Sequence, residues 1–131
     1  MSRRKPGAGK GRQPGSGKQE RYIQPSILMG LYSKPSYGYE LIQNIQRFGF
    51  VEGHAPPGMI YRHLRQMEEE GLVSSKWDTG GTGPAKRMYQ ITTDGEEILA
   101  SWVDYMERQA NDLMEFIKVY RATKTHENAE D

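Results

Sequence analysis

From Thr93 to Arg121 no proline interrupts the chain, and its larger side chains fall at alternating steps of three and four: Leu99, Trp102, Met106, Gln109, Leu113, Phe116 and Tyr120, with Ile117 beside them. About 28 residues at roughly 1.5 Å each make a helix of roughly 42 Å. A domain of about 100 residues has a radius of gyration near 13 Å and cannot cover such a helix with its own surface. The spacing therefore predicts a seam that packs on a second copy of the chain. Those eight residues are the expected dimer interface, and any effector pocket between subunits would draw on Trp102, Tyr105, Met106 and Gln109. Thr93 with Glu96 three residues on reads as a capping box that opens this helix, with Asp94 adding favourable charge. Residues 122–131 read as a flexible tail.

The other end has the opposite character. The first 21 residues hold seven Lys/Arg against one Glu, five Gly, two Pro and only Met1 and Ala8 as apolar side chains. Such a segment buries too little surface to offset its ordering entropy, so 1–21 reads as a disordered basic arm. Residues 22–131 carry a net −5, which the overall +1 conceals. Residues 22–121 hold 42 of the 46 apolar residues, enough for one ordinary domain and too few for a two-domain enzyme.

Several chemistries are excluded. Cysteine is absent, which removes disulfides, zinc-thiolate sites and a thiol nucleophile. No apolar run approaches the roughly 20 residues of a membrane helix, and the basic start lacks the apolar stretch of a secretory signal. The expectation is a cytoplasmic protein without membrane insertion. Gly9-Lys10 is not the end of a phosphate-binding loop, because position 4 is Arg and Gly11 stands where Ser or Thr is required. His54, His63 and His126 lack metal-ligand spacing, and no serine sits in a nucleophile turn. No enzyme, metal or cofactor is expected.

Between the two ends the periodicity gives three short helices. Ile27, Leu28 and Leu31 define the first, with Pro25 in its opening turn. Ser36 reads as the cap of the second, whose apolar positions Leu41, Ile42, Ile45 and Phe48 lead to Gly49. After a Gly/Pro-rich loop, a third helix spans about Gly58 to Glu70. Pro56-Pro57 starts it, Gly71 caps it in the left-handed conformation, and Ile60, Leu64 and Met67 share its core face. Val73–Asp78 and Arg87–Ile91 read as two strands joined by Gly80-Gly81-Thr82-Gly83-Pro84. The fold class is mainly α with a small β-hairpin: a winged helix-turn-helix domain over 22–93, then a dimerisation helix over 94–121.

The residues carry a resemblance. Ile27-Leu28-Met29-Gly30-Leu31, Pro35-Ser36-Tyr37-Gly38-Tyr39-Glu40-Leu41 and the block from Gly58 to Val73 resemble the three helices of PadR-type repressors. Lys86 to Gly95 is similar to that family's second wing strand and entry into its dimer helix. A single C-terminal helix places the resemblance in the family's shorter branch. Trp77-Asp78-Thr79 and Gly83-Pro84-Ala85-Lys86-Arg87 resemble its polyhydroxybutyrate-responsive repressors. The resemblance implies a homodimeric repressor on a pseudo-palindromic DNA operator, released by an unidentified small-molecule or polymer effector.

Ser36, Tyr37, Tyr39, Gly58, Met59, Tyr61, Arg62, Arg65, Lys86 and Arg87 are the expected DNA-binding residues. Arg62 and Arg65 lie on the outer face of the third helix, where guanidinium groups meet phosphates or guanine edges. Lys86 and Arg87 adjoin the wing tip and the flanking backbone. Glu68-Glu69-Glu70 must lie at the helix end that points away from DNA. A protein-interaction adaptor is the alternative, favoured by the net −3 of residues 22–121 and opposed by these cations and the basic arm.

Overall fold

The periodicity that marks Ile60, Leu64 and Met67 as one face is realised: all three are fully buried, along with Ile27, Leu28, Leu41 and Ile45. In the computed structural model, residues 21–48 and 56–130 are described. Residues 1–20 of the basic arm, Gly49 and the following loop through Ala55, with His54, lie outside them. Helix α1 spans Ile23–Ser33, strand β1 Ser36–Tyr37, α2 Gly38–Asn44 and a 3-10 turn Ile45–Arg47. Then come α3 (Pro57–Glu69), β2 (Val73–Asp78), β3 (Lys86–Ile91) and α4 (Thr93–Glu130). Among the described residues no helix is long and apolar enough to cross a membrane.

Three features depart from the sequence reading. The hairpin is part of a three-stranded antiparallel sheet in the order β1-β3-β2, with Ser36 opposite Tyr89 and Tyr37 opposite Met88. Ser36 is thus a strand residue and does not cap α2. Tyr37 takes the cap position and its backbone N–H donates to the Glu40 carboxylate at 3.0 Å. Helix α4 continues past Arg121 to Glu130, through the segment read as a tail.

The third departure is the start of α4. Thr92, not Thr93, caps it: the Thr92 hydroxyl accepts the Gly95 N–H at 3.0 Å and donates to the Gly71 carbonyl at 2.7 Å. The third helical residue is then Gly95 and not an acid, so no capping box forms. A Cβ at Gly95 would collide with the Leu72 carbonyl, which is why the smallest residue stands where the helix leaves the sheet.

Helix α3 ends as read. Gly71 adopts φ +81°, its N–H bonds the Glu68 carbonyl at 3.1 Å, and the Leu72 N–H bonds the Met67 carbonyl at 2.9 Å. This left-handed cap turns the chain straight into β2. The chain divides after Leu99 into two units, the first holding the helices and sheet, the second the remainder of α4.

Candidate nucleic-acid interface

Pro56 and Pro57 start α3, and its first turn carries no acidic residue. With Ile60, Leu64 and Met67 turned inward, Arg62 and Arg65 are left exposed on the opposite side and Tyr61 exposed on the flank, with Gly58 exposed and Met59 half-buried at the start. Tyr61 closes against the start of α2, for a Cβ at Gly38 would lie 2.6 Å from its hydroxyl and ring edge. A helix pair in this close contact, with cations on the outer face of its second member, is a helix-turn-helix.

Strand alternation sorts the wing residues onto two faces. The register pairs Ser75 with Tyr89 and Trp77 with Arg87, and these four share the face toward α3. Ser75 Oγ donates to Glu68 Oε2 at 2.7 Å and accepts from Arg87 Nε at 2.9 Å. The Arg87 guanidinium stands 3.8 Å from the same carboxylate and 5.1 Å from the Trp77 ring centre. Glu68 is therefore turned to the wing, while Glu69 and Glu70 are exposed at the end of α3.

The other face carries Lys86, Asp78 and Tyr37. Lys86 Nζ lies 5.4 Å from the Tyr37 ring and 5.6 Å from that of Tyr39, and these two rings are stacked 5.8 Å apart. The Tyr37 hydroxyl donates to Asp78, which holds that carboxyl below the ordinary aspartate range, helped by the Gly80 N–H. The same bond raises the Tyr37 phenol. Lys86 and Arg87, adjacent in sequence, thus serve opposite sides of the wing.

Between α3 and the sheet is a recess of about 200 Å³ lined by Tyr61, Arg65, Glu68, Arg87 and Tyr89. Tyr89 is only 8% exposed, and burial pushes its phenol up.

Of the expected DNA-binding residues, Ser36 is corrected: it is fully buried and its Oγ donates to the Lys34 carbonyl at 3.1 Å, so it offers nothing to a ligand. Tyr39, Gly58, Tyr61, Arg62, Arg65, Lys86 and Arg87 are exposed, and Tyr37 and Met59 half-buried. Sequence reasoning missed Glu68, Ser75, Trp77, Asp78 and Tyr89 as parts of this surface. The period-two alternation from Val73 contained the signal for Ser75 and Trp77.

Of the seam residues, Leu99 is buried at the end of the first unit. Gln109, Leu113, Phe116, Ile117 and Tyr120 are exposed on α4, Phe116 by 75%. Trp102 and Met106 are half-buried, and Trp102 meets Tyr105 edge-on at 5.9 Å.

The solved structure of a PadR family transcription regulator from Clostridium difficile R20291 superposes with a TM-score of 0.65 at 23% identity, covering 73% of this chain and 98% of that one. Bacillus subtilis PadR, solved in complex with operator DNA, superposes with a TM-score of 0.56 at 25% identity over 63% of this chain and 47% of that one. The transcriptional regulator YqjI of Escherichia coli K12 is 28% identical over 109 residues, 79% of this chain and 49% of that protein. The chain spans about half the length of the curated relatives it matches. The model of the transcriptional regulator PadR-like family matches residues 27–101, which include both helices of the helix-turn-helix, the wing and the start of α4. The chain belongs to the PadR-like family of transcriptional regulators.

Proposed function

We propose that this chain binds duplex DNA as a homodimer and represses transcription from a pseudo-palindromic operator until an effector releases it. The carrying observation is the exposed outer face of α3, where Arg62 and Arg65 stand clear of the core beside a wing that presents cations on both faces. The operator complex of Bacillus subtilis PadR supports DNA as the partner. Repression needs no bond-making chemistry, only occupancy of a promoter. Release needs an effector that binds the DNA-incompetent arrangement more tightly, since equal affinity for both shifts nothing.

The exposed Leu113, Phe116, Ile117 and Tyr120 on α4 support pairing with a second copy. An effector pocket between subunits would then use Trp102, Tyr105, Met106 and Gln109, for a small molecule or a polymer surface. In domain terms, 22–93 is the DNA-binding part, 94–121 the dimerising part, and the basic arm an accessory to DNA binding. Selection of bound fragments from random duplex DNA by the full chain tests this reading. Enrichment of an inverted repeat is the expected result; failure to enrich any motif at low salt would transfer the chain to the adaptor reading.

A further inference from the structure

We infer that the recess between α3 and β3 is a seat for one phosphate group, formed by Arg65, Arg87 and the Tyr89 hydroxyl and guarded by Glu68, with the DNA backbone as its source. Only the source rests on the function proposed above; the seat stands on its own geometry.

Tyr89 lines the recess and is more than nine-tenths buried, yet its hydroxyl has no hydrogen-bond partner among the described residues. Among those residues no side-chain nitrogen or oxygen that is sealed from solvent lacks a partner, so the Tyr89 hydroxyl is not sealed, and the recess is a surface that Tyr89 lines. A phenol is protonated, and hence a donor, at neutral pH, and burial moves this one further in the same direction. Arg65 contributes a second unengaged donor group, with no hydrogen bond or ion pair among the described residues. Arg87 contributes a third from the facing strand. Two guanidinium groups and a phenol that line one recess from a helix and a strand are a donor set for tetrahedral oxyanions.

Glu68 is the resident anion. Its contact to Arg87 is long, at 3.8 Å, and both side chains are partly exposed, so the pair contributes little and exchanges readily. Two guanidinium groups against one carboxylate leave a single positive charge, the complement of one phosphodiester. Glu68 accepts from Ser75 and stands beside Arg87, which lies over Trp77. When a phosphate enters, Arg87 turns from the carboxylate to it.

The test titrates the full chain with inorganic phosphate at constant ionic strength, following the Tyr89 ring and Arg87 Nε–H signals by NMR, with and without a random-sequence duplex. Saturable shifts are expected. Tyr89→Phe should weaken phosphate about tenfold with an unchanged melting temperature, as loss of one bond to a charged group does. Glu68→Gln keeps an acceptor for Ser75 and removes the repelling charge, so it should tighten phosphate and steepen the salt dependence of duplex binding by about one unit per subunit. Suppression of the phosphate response by duplex assigns the backbone as the source. Duplex binding that leaves the response intact overturns that source in favour of free phosphate. If no duplex binds while the response and both variant effects persist, the DNA-binding reading has failed and the seat has not. Absence of a saturable shift, or a shift that neither variant changes, overturns the seat.

Discussion

The Tyr37 hydroxyl donates to the Asp78 carboxylate across 2.5 Å, although 41 residues separate them. Tyr37 belongs to β1 and leads directly into α2, while Asp78 ends β2 opposite Lys86. The bond therefore ties the first helix of the helix-turn-helix to the loop end of the wing ladder. Lys86, lying over both stacked tyrosines, closes the same junction with a cation. The wing loop departs from a fixed pair, and only residues between Asp78 and Lys86 lie outside the ladder.

This junction should depend on pH at both ends of the scale. Asp78 has a lowered folded-state pKa, so its contribution is present above the ordinary aspartate value of about 3.9 and is lost as pH falls through the depressed folded value. Tyr37 has a raised one, so its contribution holds below 10.0 and is lost as pH rises through the raised folded value. The melting temperature of Asp78→Asn should fall below that of the parent at pH 7, and the two should converge as pH drops below about 3.9. A difference that does not change with pH would remove the carboxylate from the argument.

Two glycines at helix starts should behave differently on substitution. A methyl at Gly95 meets the Leu72 backbone, which cannot yield without moving β2 or α4, so Gly95→Ala should cost about 3 kcal/mol in urea unfolding. A methyl at Gly38 meets the outer end of the Tyr61 side chain, which can swing aside. Gly38→Ala should therefore cost about 1 kcal/mol or less of stability. It should reduce DNA affinity more than stability, because it displaces Tyr61 from the flank of α3. Equal stability losses in the two variants would contradict this division.

The exposed apolar side chains of α4 predict dissociation on charge insertion. Phe116→Asp combined with Tyr120→Asp should shift the full chain from dimer to monomer in sedimentation at micromolar concentration. Cutting the chain at about Ala100 should leave an aggregating or unstable product, because the seam is removed. A well-folded monomeric parent would refute the pairing.

Much of this surface was legible beforehand, and its limits have physical causes. Ile60, Leu64 and Met67 announced the buried face of α3 through the helical period, and Gly71 announced its end. Strand β1 was invisible because two residues are too short to display a period of two. Thr92 and Thr93 are equivalent as caps on paper. The choice falls to Thr92 because its hydroxyl also reaches the Gly71 carbonyl 21 residues back. The bonds of Tyr37 to Asp78 and of Ser75 to Glu68 need the sheet and α3 brought together, which no local pattern encodes. The division of Lys86 from Arg87 was within reach, since neighbours on a strand point to opposite faces.

The basic arm supplies a prediction from charge alone. Lys and Arg separated by glycines contact phosphates without holding a register on bases, so deleting residues 2–18 should weaken all duplexes similarly and flatten the salt dependence. Loss of discrimination between operator and random DNA would instead show that the arm reads a groove.

The last prediction separates base reading from phosphate contact. Residues near the start of a recognition helix reach base edges, and Arg62 lies nearer that start than Arg65, which lines the recess beside Tyr89 and Arg87. Arg62→Ala should cost about 1–3 kcal/mol on the operator and relax preference at one base pair. Lys86 is held over two aromatic rings at the loop end of the wing ladder, a geometry that fixes a point charge but offers no bidentate fork. Lys86→Ala should lower affinity for operator and scrambled duplex by similar factors and reduce the salt slope by about one unit per subunit. Titrating both variants against both duplexes at several salt concentrations decides between the assignments. If Arg62→Ala behaves as a uniform phosphate loss while Lys86→Ala alters sequence preference, the wing reads the bases and α3 positions it.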